Sequence, residues 1–141
     1  MFGQDRRTLR QMYRTAWQKA TRQQALTALE AQIVAVIHDH PEYQREIESG
    51  MDQEYLPESG QTNPFLHMSL HLAVRDQLAT NRPHGIAQLY KQLQERCGDA
   101  HDAEHRLTEF MGQELWQAQR DRRAPDEQRY LKLVKDDLDR R

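Results

Sequence analysis

At 141 residues the chain has the size of one ordinary domain, and no Pro/Gly/Ser-rich stretch is long enough to link two, so a single domain over 1–141 is expected. Leu, Ile, Val and Phe supply only 26 residues, a thin core by composition, yet a net charge of -2 with two Trp and five Tyr favours a folded chain over a disordered one. One cysteine, Cys97, excludes an intrachain disulfide and a thiolate zinc cluster, and the longest wholly apolar run, Ile33 to Ile37, is far too short to cross a bilayer.

The opening, MFGQDRRTLRQ, lacks the apolar stretch of a secretory leader, so a cytoplasmic protein with no membrane partner is expected. Leu9, Met12, Tyr13, Ala16, Trp17 and Ala20 recur at the spacing of one helix face, which predicts a first helix over 5–20. Thr27-Ala-Leu-Glu30 has the form of a capping box and starts a second helix that reaches about His40. Pro41 disfavours helical geometry at His40 and opens a short third helix over PEYQREIES. A loop covers 50–63.

Asn63-Pro64 combines a preferred cap with proline in the first helical position, and predicts a fourth helix from 64 to about 80 that is apolar around most of its girth. A fifth helix carries Ile86, Leu89, Tyr90, Leu93 and Cys97 and ends at Gly98, which suits a left-handed cap. Asp99 caps a sixth over about 100–121, with its stripe at Ala103, Leu107, Phe110, Met111, Leu115 and Ala118. A last helix opens at Pro125 and uses Tyr130, Leu131, Val134 and Leu138. No segment alternates at period two. The expected fold is all-α, a single-domain bundle of six or seven helices with the longer ones packed as a four-helix core.

The chemistry-bearing residues are histidines. With Leu70 set at 0° and about 100° per residue, Val74 falls at about 40°, His67 at about 60° and His71 at about 100°, so both histidines lie within the apolar arc of the fourth helix. A His pair at i and i+4 presents two imidazoles from adjacent turns, the spacing by which a helix chelates one divalent ion. The bland alternative is two core histidines held by hydrogen bonds. His101 and His105 repeat the spacing on the sixth helix but flank its stripe, beside Glu109 and Gly112, where a solvated face is the ordinary explanation. His40 closes the second helix on its apolar side, whereas His38 points away and His84 sits in a turn.

Two pairs at one spacing argue together for a metal site. His67, His71, His101 and His105 are the candidate ligands, with His40 and Glu109 as auxiliary ligands or groups that orient them. Imidazole donors suit a divalent transition metal such as Zn, Ni or Fe. No motif indicates an organic cofactor. His101-Asp-Ala-Glu104-His105 formally fits the H-x-x-E-H signature of a zinc peptidase, but a third ligand far downstream in a large enzyme is lacking. Cys97 lies on an apolar stripe, where inert packing is expected. Binding of nucleic acid would rest on the Arg-rich first helix, Arg6, Arg7, Arg10 and Arg14.

The run from Asn63 to Ile86 resembles the core block of a bacterial family known only as domain-of-unknown-function family 1841. Trp17, His40-Pro-Glu-Tyr43, Tyr55-Leu-Pro57, His101 to Glu109, Leu115-Trp116-Gln-Ala-Gln119 and Pro125-Asp-Glu127 resemble it in the same order. The resemblance implies a bacterial helical protein and brings no activity, substrate or partner. His40, His67, His71, His101 and His105 fall inside the resembling blocks, whereas Glu104 does not belong to the pattern, which favours Glu109 as the carboxylate. The leading expectation is a helical protein that binds a transition metal. The alternative is an interaction module without chemistry, a homo-oligomer or a ribosome- or RNA-associated protein, whose histidines are structural.

Overall fold

The computed structural model describes residues 2–49 and 63–141. Most of the expected 50–63 loop, with Tyr55-Leu-Pro57, lies outside the described residues. The described chain is all-α, with no strand among these residues. Its helices are α1 (Phe2–Thr21), α2 (Ala28–His38), α3 (Gln44–Ser49), α4 (Pro64–Thr80), α5 (Ile86–Cys97), α6 (Ala100–Arg120) and α7 (Glu127–Arg140), with a 3-10 turn over Pro41–Tyr43 between α2 and α3. No helix of the described residues is long and apolar enough to cross a membrane.

The chain forms two compact units, 1–72 and 73–141, and α4 contributes to each. In the first, α1 packs on α2 and α3, and the buried cluster is Tyr13, Ala16, Ile33, Val36, Ile37, Ile47, Phe65 and Met68. The Tyr13 hydroxyl shares a 2.8 Å hydrogen bond with Ser69 of α4, and burial pushes that phenol above its ordinary range. Arg10, one of the basic residues of the first helix, is turned inward with its guanidinium 4.9 Å from the centre of the Phe65 ring. Leu9 and Met12 were expected in the buried stripe but are exposed, and Met12 lines an open groove with Leu29 of α2.

The capping box of α2 is formed as expected. The Glu30 amide donates to the Thr27 hydroxyl at 3.1 Å, and the Thr27 amide donates to the Glu30 carboxylate at 2.9 Å. The Thr27 amide, with Lys19 at 2.9 Å, holds the Glu30 carboxyl below its ordinary range. Thr27→Ala therefore leaves the Glu30 amide in the first turn of α2 without its side-chain partner and is expected to cost about 1 kcal/mol. Thermal unfolding followed by circular dichroism checks this, with Thr27→Asp expected to stay near the parent.

In the second unit α5, α6 and α7 pack on one another around Leu93, Leu107, Phe110, Leu131, Val134 and Leu138, with Val74 of α4. Gly98 ends α5 at φ +73, as a left-handed cap requires, and Asp99 starts α6 by accepting the His101 amide at 2.9 Å. α7 begins two residues later than Pro125, with Asp126 as its cap.

Candidate metal centre

The centre is built in the first unit. α2 stops at His38 because Pro41 cannot continue it, and the chain turns so that the His40 ring folds back over the helix end. Nδ1 of His40 lies 2.8 Å from the Val36 carbonyl oxygen. A carbonyl only accepts, so Nδ1 carries the proton, and in the neutral ring the lone pair is on Nε2. Tyr43, brought round by the 3-10 turn, stacks on His40 at 5.7 Å and 8° and reaches the edge of His67 at 5.7 Å. Burial, then the neighbouring Glu42 and Glu46, raise the Tyr43 phenol above its ordinary range.

α4 brings the other two rings. The Asn63 side-chain oxygen accepts the Phe65 and Leu66 amides at 3.0 and 3.2 Å and starts the helix, in which the spacing of His67 and His71 puts them one turn apart. The ring centres of His67 and His71 are 4.8 Å apart, with His40 at 5.2 Å from the first and 4.6 Å from the second. One ring nitrogen from each of the three lies within 4.8 Å of the others, and Nε2 of His67 is 3.1 Å from Nε2 of His71. Two nitrogens bound to one tetrahedral zinc stand about 3.3 Å apart, given Zn–N bonds near 2.0–2.1 Å. His40 and His71 are 1 % and 0 % exposed, while His67 is half-buried, so ligand atoms are withdrawn from solvent on two sides and reachable on the third.

The other expected site residues lie in the second unit. The rings of His101 and His105 meet edge to face at 4.3 Å on α6, His101 exposed and His105 half-buried. His105 Nδ1 points at the His101 carbonyl oxygen at 3.2 Å, which again puts the lone pair of the neutral ring on Nε2. Glu109 is 54 % exposed and accepts from Arg106 at 2.6 Å. Glu104 is buried against Arg75, which donates to both of its oxygens at 2.8 and 3.2 Å, so its carboxylate is committed to an ion pair and is no free general base. His38 and His84 are exposed, as expected.

Sequence reasoning named His40 but missed Tyr43 as its neighbour. The signal lay in the proline, since a turn opening at Pro41 returns the third residue to the preceding ring. Glu114 and Asp137, two buried carboxylates of the second unit that each hold several donors, were also passed over, and both lie on faces that the helical period marks as buried.

No curated protein and no solved structure matches the chain. A family model does match, over residues 5–136, a span that includes all six expected site residues, and the chain belongs to that family, the domain of unknown function DUF1841.

Proposed function

We propose that the protein binds one divalent transition-metal ion through Nε2 of His40, His67 and His71. The observation that carries this reading is the 3.1 Å approach of the two α4 ring nitrogens beside a third imidazole whose tautomer leaves its lone pair on Nε2. Three imidazoles favour zinc, nickel or iron, and a thiolate-requiring ion is disfavoured by their nitrogen chemistry. Three protein donors leave a coordination position for water or a further ligand, the arrangement from which metal-activated chemistry starts. The α6 pair, His101 and His105, is retained as a second donor pair on chelating spacing. Glu109 is the weakest member of the expected set, because Arg106 already holds its carboxylate.

The same short nitrogen–nitrogen distance would also arise from an N–H···N hydrogen bond between two neutral rings, so the test is metal itself. Tag-free protein incubated separately with Zn, Ni and Fe(II), then desalted, is expected to retain one ion per chain for at least one of them. Single Ala variants of His40, His67 and His71 should each weaken binding at least tenfold, a loss within the several kcal/mol that one ligand of a metal site contributes. Affinity should fall on acidification, because ligating imidazoles must be unprotonated. Substoichiometric retention of all three ions, with no change in melting temperature, would sink the proposal. His105→Ala, carried in the same series, reports on the α6 pair.

A further inference from the structure

α6 has a second stripe, on the side away from its packed edge. With Leu107 at 0°, Gly112, Trp116, Glu109 and Arg120 fall at about 140°, 180°, 200° and 220°, four residues within one quarter of the helix. Trp116 is 58 % exposed, the largest apolar side chain at the surface of the second unit, and Leu115 is exposed beside it. A hollow of about 410 Å³ is lined by Gly112, Gln113, Trp116 and Gln117. The Arg120 guanidinium lies over the Trp116 ring, 5.2 Å from its centre.

We propose that this stripe is the contact between two copies of the chain, α6 running antiparallel to α6 of the second copy about a twofold axis near residues 114 and 115. The order along the helix is acid, hollow, aromatic, base. Reversing the helix turns that order into base, aromatic, hollow, acid, so every feature meets its complement in a second copy. Glu109 and Arg120 are equally far from the midpoint between 114 and 115, which sets each acid opposite the other copy's base; Arg106 takes one oxygen of Glu109 at 2.6 Å, and the exposed carboxylate has a second to offer. The same centre brings Trp116 over the hollow beside Gly112 of the other copy, where the missing side chain lets the ring approach the backbone. Such self-complementarity is what a twofold contact demands and what an unrelated partner has no need of. Trp and Arg are the residue types that concentrate binding energy at contacts of this kind. One helix face buries little area beside the roughly 1,200 Å² of a stable interface, so the association is expected in the micromolar range.

Sedimentation of the full chain across the micromolar range, with a chelator present so that no metal bridges copies, is expected to show a concentration-dependent dimer. Trp116→Ala should weaken it at least tenfold while leaving the melting temperature unchanged. Glu109→Arg and Arg120→Glu should each weaken self-association, because each places like charges opposite one another twice. Mixed together, the two variants should associate at least as tightly as the parent, since every charge then meets its opposite. A chain that stays monomeric throughout, a dimer indifferent to Trp116→Ala, or two charge variants that fail to associate on mixing would each overturn the proposal.

Discussion

Replacing Glu114 with Ala is expected to cost about 3 kcal/mol, near the lower end of what removing one partner of a buried ion pair costs. Glu114 is 4 % exposed and is held by three groups. Arg123 donates to its two oxygens at 2.6 and 3.3 Å, the Asp126 amide donates at 2.7 Å, and Arg129 approaches at 3.3 Å. Through these bonds one side chain of α6 fixes the turn that leads into α7 and the cap residue of α7 itself. The loss falls short of the full range because Arg123 and Arg129 keep part of their guanidinium in water.

The same site makes a prediction about acid. The Arg123 hydrogen bonds hold the Glu114 carboxyl below its ordinary range; burial opposes them, and the Asp126 amide adds to them. At Asp137 burial pushes upward, but donation from Arg141 and then Arg106, at 2.9 and 2.7 Å, outweighs it and the net shift is again downward. A carboxyl lowered in the folded state contributes stability that is present above its unfolded value, near about 4 for these groups, and that is lost as pH falls through the folded one. Urea unfolding followed by circular dichroism should therefore give a stability level above about pH 5 and declining below about pH 4. Glu114→Gln, which keeps the shape and removes the charge, should flatten that decline. A Glu114→Ala protein as stable as the parent at neutral pH would refute this role for the carboxylate.

These carboxylates also mark where the sequence was hard to read. Cap residues act within one turn of chain, so Thr27, Asn63, Gly98 and Asp99 could be assigned from local order, and all four sit where that chemistry put them. Burial depends on partners far along the chain. With Leu107 at 0°, Glu114 falls at about 340° and Glu104 at about 60°, inside the arc that the helical period marks as core, yet their type argued for solvent. The period was right, and the exception is explained by Arg123 and Arg75, whose meeting with them is tertiary. Leu115, at about 80°, was placed in the stripe by the same spacing, four residues beyond Met111, but lies at the edge of the arc and is exposed. In the candidate site, the wheel put His67 and His71 on the buried arc, and they are half-buried and buried. His40 joins them in space although 27 residues separate it from His67 in the sequence, a meeting that no helical periodicity encodes.

Saturating zinc is expected to stabilise the protein by about 2.7 kcal/mol when the free ion is at one hundred times its dissociation constant, and His71→Leu should abolish that gain. For a chain of this length the gain corresponds to a rise in melting temperature of about 10 °C. The first unit has reason to depend on such a ligand: His40 and His71 occupy fully buried positions where apolar side chains would otherwise add to the core. Without metal, His71→Leu trades a buried imidazole for an apolar side chain of similar volume. The ring it leaves behind, His67, is only half-buried and can turn to water, so the metal-free variant should match or exceed the parent in stability. If instead the three rings are a structural hydrogen-bonded cluster, the signs reverse: His71→Leu breaks a buried network and destabilises the protein, and zinc leaves both proteins unchanged. Melting the parent and the variant with and without zinc separates the two cases, because only a metal-binding centre makes the cost of the substitution appear when the ion is added.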